Sequence, residues 1–186
     1  MKISAKKRSE HLTRICQADI FENVEVIESI EASGAEIKVN KIILPYAICL
    51  NQDCDLESDE RCRKHEDNKD SMLLHFAVAP VFVFDDFLKG DHWGEIFKPS
   101  KAKKKSDTEV KKIMDNEISR YHYFSFPSSD ELPELIIDFK HFFSISVTQR
   151  EHLLSKKICS LDDLFREKVN QRFSFYISRI GLPELG

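Results

Sequence analysis

Hydrophobic and polar residues alternate along residues 44–56, and this alternation constrains the fold more than any other part of the 186-residue chain. A strand places successive side chains on opposite faces of a sheet, so a period of two predicts one buried and one polar face. The predicted inward set is Tyr46, Ile48, Leu50, Gln52, Cys54 and Leu56. The predicted outward set is Ala47, Cys49, Asn51, Asp53 and Asp55. A bulge after Asn51 would exchange the two faces for the last residues.

Other segments also have the composition of strands. Residues 20–30 predict an exposed or edge strand, and the turn at Ser33-Gly34 lets residues 36–39 pair back onto it as a hairpin. Residues 72–84 are almost continuously apolar, which predicts a central strand that is broken or bent at Pro80. The remaining segments of strand character are 120–126 and 135–147.

Helical signals replace strand signals in the C-terminal part of the chain. Thr148 and Glu151 form a capping box, which predicts a short helix through Ile158. A longer helix follows and ends before Gly181 and Pro183. Its predicted apolar stripe, at three- and four-residue steps, is Leu161, Leu164, Phe165, Val169, Phe173, Tyr176, Ile177 and Ile180.

Strands followed by helices predict an α+β fold. We expect a curled antiparallel sheet or a small SH3-like β-barrel, followed by two C-terminal helices. In this prediction residues 1–147 form a mostly-β domain with charged loops at 57–71 and 98–112. The helical segment 148–186 packs on that domain.

Charge and cysteine content narrow the functional classes. Twenty-eight Lys and Arg against 32 Asp and Glu give a net charge of −4, so only a local basic patch would suit a nucleic acid. Five cysteines at irregular spacing do not predict a disulfide framework, which favours a cytoplasmic protein. No apolar run approaches the roughly 20 residues that cross a bilayer, so we expect no membrane contact.

The sequence contains no P-loop, dinucleotide-binding, zincin, nucleophile-elbow or CxxC motif. These motifs carry the commonest nucleotide, cofactor and hydrolase chemistries. Their absence from the sequence predicts that the protein uses no cofactor and favours a binding role over catalysis.

Cysteine chemistry at residues 51–55 is one hypothesis for a site. Cys54 is a candidate nucleophile, but the negative charges of the carboxylates on either side disfavour a thiolate. Soft side chains also offer a zinc site, at spacings that match no common zinc finger. These side chains are Cys49, Cys54, Cys62 and His65.

The aspartates of the same segment suggest a second hypothesis. Asp53 and Asp55, two residues apart on one strand face, are candidate catalytic residues and ligands for a hard divalent metal. A third carboxylate would come from Asp138 or from the Asp85-Asp86 pair. Alternatively, the aspartates accept hydrogen bonds from backbone amides at the end of the strand and are purely structural.

Two further segments are candidates for binding phosphate or nucleic acid. Arg120, His122 and Phe124 share one face of a predicted strand, where a cation, an imidazole and a ring could bind a phosphate or stack on a base. The simpler interpretation is a half-buried edge strand. Residues 98–112 hold seven lysines that could contact phosphates, although Asp107 and other acidic residues dilute their charge.

Three segments together resemble a widespread bacterial family in which a strand ends in a Gln-x-Cys-Asp signature. They are residues 44–56, the run Ala77-Val78-Ala79-Pro80-Val81 and the helix end Arg179-Ile180-Gly181-Leu182-Pro183. The resemblance covers most of the chain. The family has no assigned activity, so the resemblance implies no site residue.

Three shorter matches resemble, in the same order, the MazF/PemK toxins, which are SH3-like ribonuclease barrels. The matches are Ala18-Asp19-Ile20, Leu44-Pro45 and Pro80-Val81-Phe82. In that family an Arg and a Thr position the scissile phosphate, and here Leu44 and Phe82 replace them. The resemblance therefore implies the barrel rather than the chemistry.

Two functional hypotheses follow. The first is a non-enzymatic interaction or regulatory module of a bacterial system, such as phage defence or a toxin–antitoxin pair, that acts with a separate effector protein. The second is a MazF/PemK-like or metal-assisted nuclease acting on RNA or DNA. In it Arg120 and His122 bind the phosphate, and Asp53 or Asp55 binds a divalent metal or accepts a proton.

Overall fold

The computed structural model describes residues 5–8, 13–34, 36–65, 68–94 and 105–179. The strands in this part of the chain are β1 (Asp19–Ser33), β2 (Glu36–Cys49), β3 (His75–Val83), β4 (Tyr121–Phe124), β5 (Leu135–Asp138), β6 (Phe143–Ser146) and β7 (Lys157–Ser160). The α-helices are α1 (Asp53–His65), α2 (Phe84–Lys89), α3 (Asp107–Met114), α4 (Arg150–Ser155) and α5 (Asp163–Ile177).

The seven strands form one antiparallel sheet in the order β4-β5-β3-β2-β1-β7, and β6 pairs with the first half of β3. The end strands β4 and β7 each pair with a single neighbour, so the sheet stays open in the described part of the chain. The predicted α+β fold with an antiparallel sheet is confirmed. Of the two predicted forms, the structure has the open sheet and not the closed SH3-like barrel.

Helices cover both faces of the sheet, because alternate residues of the strands point to opposite sides. Along β2, Ile48 faces a core that includes Val169 of α5, whereas Ala47 faces a second core that includes Leu56 of α1 and Leu153 of α4. A third cluster packs α2 and α3 against β4 and β5. The sheet is therefore the middle layer of three.

The predicted hairpin is confirmed, and it is longer than the sequence indicated. β1 and β2 pair from Ile20 opposite Ile48 to Ser33 opposite Glu36, around a turn at Gly34. The base of β1 lies between β2 and β7, so this strand is exposed only over its distal half.

The prediction that residues 44–56 form one strand is wrong beyond Cys49. Asn51 Oδ1 accepts a hydrogen bond from the backbone N–H of Ala77 at 2.7 Å, and this side chain replaces the next backbone partner of β3. The strand pairing therefore stops, and α1 begins at Asp53. Gln52 and Cys54, which the alternation placed inside, are exposed.

Helical periodicity and charge explain α1. Its buried residues are Leu56, Asp59 and Cys62, three residues apart, as one face of a helix requires. Two aspartates lie in its first turn and three basic residues in its last turn, which suits the helix dipole. The predicted charged loop at 57–71 is therefore largely the exposed side of a helix.

Other element boundaries also differ from the predictions. The predicted charged loop at 98–112 contains the start of α3, and α2 precedes it, while residues 95–104 lie outside the described residues. The segment 135–147 is divided into β5 and β6 by a 3₁₀ turn at Phe139–His141. No helix in the described part of the chain is both long and apolar enough to cross a membrane.

The C-terminal segment is not purely helical. The first predicted helix is only α4, which ends at Ser155, and the chain then adds β7 to the sheet. α5 confirms the second predicted helix and buries Val169, but Leu164 and Ile177 of its predicted stripe are exposed. Its predicted end, from Ile180 to Pro183, lies outside the described residues.

Candidate functional site

Asp53 lies at the start of α1, where its carboxylate joins distant parts of the chain. Oδ1 accepts hydrogen bonds from Arg14 Nη1 at 3.0 Å and from the backbone N–H of Gln17 at 3.2 Å. Oδ2 accepts from Arg14 Nη2 and from Arg166 Nη1, each at 3.0 Å. Burial opposes ionisation, but the hydrogen bonds from Arg14 and Gln17 outweigh it and lower the pKa of Asp53. These contacts make Asp53 a structural junction between the N-terminal segment, α1 and α5.

Asp55 has a different environment from Asp53. It is exposed in the first turn of α1, next to the exposed Cys54, whose Sγ lies 3.8 Å from Asp55 Oδ1. Residues two apart on a helix are about 200° apart around its axis, so the predicted common face of the two aspartates does not exist. The reason is the change from strand to helix before Asp53.

Arg120 belongs to a second ion pair. Its Nε donates to Asp138 Oδ1 at 2.8 Å and its Nη2 donates to Asp138 Oδ2 at 2.5 Å, in a bidentate geometry. Asp138 is buried and also accepts from the backbone N–H of Lys140 at 3.1 Å. Asp138, proposed from the sequence as a third metal ligand, therefore pairs with Arg120 instead of the aspartates of α1.

His122 is a core residue. It is 2% exposed and packs edge-on against Phe124, with a ring-centroid distance of 4.7 Å. Burial, with the nearby positive charges of Arg172 and Lys168, lowers the pKa of His122 to about 3. The imidazole is therefore neutral at pH 7, and it lies on the side of the sheet that α5 covers.

The predicted catalytic residues do not form one cluster. Within the described ranges, no hydrogen bond or ion pair connects Asp53 or Asp55 with Arg120 or His122. No group of three or more His, Cys, Asp or Glu side chains is placed to hold a metal ion in this part of the chain. Their catalytic and metal-binding roles stay predictions, and their contacts favour structural roles.

The predicted zinc ligands also differ in their exposure to solvent. Cys49 and Cys62 are buried, whereas Cys54 and His65 are exposed. Burial raises the pKa of the Cys49 thiol, so this side chain stays protonated at neutral pH.

The lysine-rich segment 98–112 is only partly described. Lys105 Nζ lies 4.0 Å from the centroid of the Phe87 ring and donates to the backbone oxygen of Phe87 at 3.5 Å. Lys111 and Lys112 are exposed on α3, and the other four lysines lie outside the described residues. Nucleic-acid contact through this segment stays a prediction.

The distal hairpin, residues 25–34 and 36–43 and hereafter the arm, differs from the rest of the sheet. β2 pairs with β3 only over Tyr46–Cys49, and β1 pairs with β7 only over Asp19–Phe21. Both outer edges of the arm are therefore free of strand partners within the described residues. Val26 and Ile42 pack against the second core and hold the near end of the arm to the other described residues, hereafter the body.

One face of the arm is largely apolar and exposed, and the ion pair between Lys41 and Glu25 lies within it. Residues 37, 39, 41 and 43 alternate along β2 and so share a face, and cross-strand pairing brings Ile30 opposite Val39 and Ile27 opposite Lys41 on that face. Its large aliphatic residues retain 44 to 72% of their accessible surface. They are Ile27, Ile30, Ile37, Val39 and Ile43, hereafter the apolar face.

The opposite face of the distal arm is polar and fixes the register. Glu31 lies opposite Lys38 there. Asn40 Nδ2 donates to Ser29 Oγ and to Glu31 Oε1, each at 2.9 Å. A register slip of one residue would exchange the two faces, so these hydrogen bonds help to keep the aliphatic side chains together on one side.

The arm is also acidic. Between Glu22 and Lys41 the chain has five glutamates and two lysines. Four of the glutamates are exposed at three-residue steps along β1, and Lys41 Nζ forms an ion pair with Glu25 Oε2 at 2.7 Å. This contact with Lys41 lowers the pKa of Glu25.

Sequence reasoning identified the hairpin but not its apolar face. The signal was present, because Ile37, Val39 and Ile43 have even spacing in a segment rich in charge. Their exposure depends on where β3 stops covering β2, which the alternation of one strand does not reveal. Comparison of the chain with protein-family models and with curated proteins returned no match.

Proposed function

We propose that this protein is a non-enzymatic binding module whose arm docks a separate protein. The partner presents an apolar strip that covers the apolar face and basic residues that meet the glutamates near that face, Glu25 among them, since Glu31 lies on the opposite face beside Lys38. This assignment follows the first functional hypothesis and gives it a surface. The bacterial setting, in phage defence or a toxin–antitoxin pair, rests on the sequence resemblance alone.

The observation that carries the proposal is the exposure of five large aliphatic side chains on one side of a two-stranded ribbon. Isolated exposed aliphatics are common, but contiguous apolar patches on a protein surface mark interaction sites. A two-stranded hairpin is only marginally stable in water by itself, so a partner that covers this face would also stabilise the arm.

Charge decides which partner fits. A second copy of the chain would bring the glutamates of one arm close to those of the other, and like charges oppose association. A basic partner meets these glutamates with attraction, which steers the encounter and speeds association. We therefore assign the arm to a different protein rather than to self-association.

The nuclease alternative has no comparable support. Asp53 already pairs with Arg14 and Arg166, and Arg120 with Asp138. Asp55 is exposed, and no hydrogen bond or ion pair joins it to Arg120 or His122 among the described residues. His122 is buried against Phe124 and α5.

Site-specific photo-crosslinking in cells tests the proposal. A benzophenone side chain is placed at Ile37 on the apolar face or, as the matched control, at Lys38 on the opposite face of the same strand. We expect one protein to be crosslinked from Ile37 at least fivefold more strongly than from Lys38. A second copy of this chain as the only product, equal yields from the two positions, or no adduct would overturn the proposal.

A further inference from the structure

A cavity of about 310 Å³ lies at the base of the arm, beside the turn that follows α2. It has the size of a small ligand site. The lining residues that matter here are Ile43, Pro45, Phe82, Trp93, Asp86 and Asp91.

The turn after α2 builds one wall of the cavity. Gly90 ends α2 with a φ of 86°, a left-handed conformation that glycine adopts without strain, and its N–H donates to Phe87 O at 3.2 Å. Asp91 and Gly94 continue the turn through backbone hydrogen bonds of 3.0 and 2.8 Å. The chain therefore folds back and places Trp93 against β3.

Aromatic rings form the apolar part of the cavity. The Trp93 ring meets Phe82 edge-on, with a centroid distance of 4.8 Å, and Phe82 also contacts His92 at 5.0 Å. Burial, with the positive field of Lys105, lowers the pKa of His92 to about 4, so His92 is neutral at pH 7. The lining therefore presents no imidazolium charge.

The charge at the cavity is negative. Among the described residues that line it, the carboxylates of Asp86 and Asp91 are the charged groups, and both residues are exposed at its rim. Lys89 Nζ lies 3.6 Å from Asp86 Oδ1, in an exposed pair of the kind that contributes little. A cation with an apolar stem matches this combination of rings and carboxylates.

The cavity continues the apolar face. Ile43 belongs to that face and also lines the cavity. A partner lying along the arm would therefore extend over the cavity without bending away. The basic residues expected of that partner include one that reaches Asp86 and Asp91.

We propose that the cavity binds an arginine side chain of the protein that docks on the arm. Its methylene stem packs against Trp93 and Pro45, and its guanidinium meets the two carboxylates. Arginine fits better than lysine because its planar guanidinium stacks on rings and donates to carboxylates in a fork. This inference rests on the proposed function of the arm and adds the anchor residue of the partner.

Trp93 is the single tryptophan of the chain, so its fluorescence reports on this cavity alone. The probe is n-butylguanidinium chloride, titrated into the purified protein. The neutral control is n-butanol, which has the same four-carbon chain. We expect a saturable change in Trp93 emission with a millimolar dissociation constant for the cation and no saturable change for the alcohol. No saturation with the cation, or equal responses to both, would overturn the inference.

Substitutions of two consecutive residues, Asp85 and Asp86, make the test more specific. Asp86→Asn removes a lining carboxylate, and we expect it to weaken n-butylguanidinium binding at least threefold. Asp85→Asn removes the adjacent exposed carboxylate, which does not line the cavity, and we expect less than half that effect. Equal effects of the two variants would show that general charge, rather than the cavity, attracts the probe, and would overturn the inference.

The probe experiment needs no partner, which separates the two proposals. If the probe fails to bind while crosslinking from Ile37 succeeds, the anchor cavity is wrong and the arm assignment stands. If the probe binds while crosslinking fails, the arm assignment is wrong, and the cavity loses the partner from which its arginine would come.

Discussion

The body and the arm of this protein differ in the side chains that they bury and expose. Among the described residues of the body, three carboxylates are fully buried, and each pairs with a cation distant in sequence: Asp19 with Lys157, Asp59 with Arg150, and Asp138 with Arg120. In the arm five large aliphatic side chains are exposed. These buried charges of the body are paired within the chain, whereas the aliphatic side chains of the apolar face keep 44 to 72% of their surface accessible. Under the proposed function, that surface is available to a partner.

Removing a buried carboxylate of the body should have the largest effect on stability. Asp59 accepts hydrogen bonds from Arg63 Nε at 2.9 Å and from the backbone N–H of Leu73 at 2.7 Å, and it also pairs with Arg150. Asp59→Ala leaves these donors without their acceptor, and we expect a loss of about 3–5 kcal/mol in the free energy of unfolding. Urea denaturation followed by circular dichroism measures this, and a loss below about 1 kcal/mol would contradict it.

Lowering the pH should reduce the free energy of unfolding, because His122 is neutral in the folded protein. Its pKa is lowered from 6.5 to about 3 in the folded state, so between these values the unfolded chain binds more protons and stability rises with pH. We expect His122 to contribute a slope of about 1.4 kcal/mol per pH unit between pH 4.5 and 6.

The test compares slopes rather than absolute stabilities, because His122→Leu also changes the packing against Phe124. Free energies of unfolding are measured from pH 4.5 to 6 for the wild type and for His122→Leu. We expect a shallower pH dependence in the variant. Identical slopes would mean that His122 titrates normally and is not buried as described.

The two aspartates of the predicted site provide a matched pair. Asp53→Ala removes the acceptor for Arg14, Gln17 and Arg166, and we expect a loss of about 2 kcal/mol in the free energy of unfolding. Asp55→Ala changes an exposed side chain, and we expect less than about 0.5 kcal/mol. Equal losses, measured by urea denaturation, would show that the junction around Asp53 does not stabilise the fold.

Substitutions on the arm should have only a small effect on the free energy of unfolding. Ile30→Ser with Val39→Ser replaces an exposed cross-strand pair, and we expect the free energy of unfolding to change by less than about 1 kcal/mol. A loss above about 2 kcal/mol would mean that the apolar face is covered within the chain and is not open to a partner.

The sequence predicted the features of this fold that depend on local periodicity. The strand composition and turn of the hairpin, the apolar run of β3 and the three- and four-residue spacing in α5 each led to a correct element. The prediction of a strand through Leu56 was wrong because residues 50–56 fit both the two-residue period of a strand and the 3.6-residue period of a helix. Leu56 and Cys62 fit the helical one, and the aspartates of the first turn favour a helix N-terminus as well as a strand end.

The candidate site was harder to predict, because its residues depend on long-range contacts. Arg166 lies on α5, and it binds Asp53 from 113 positions away. Arg172, on the same helix, donates to the backbone oxygens of Ile118 and Tyr121. No local pattern encodes such pairs, so acidic residues that looked available for chemistry have structural partners.

The most direct test of the account compares affinity between the two faces of the arm. Once the protein crosslinked from Ile37 is purified, its dissociation constant is measured by calorimetry with two double variants of adjacent cross-strand pairs. We expect Ile30→Ser with Val39→Ser to weaken binding at least tenfold, and Glu31→Ser with Lys38→Ser on the opposite face to change it less than threefold. Equal affinities of the two variants for the partner would contradict the claim that the apolar face is the binding surface.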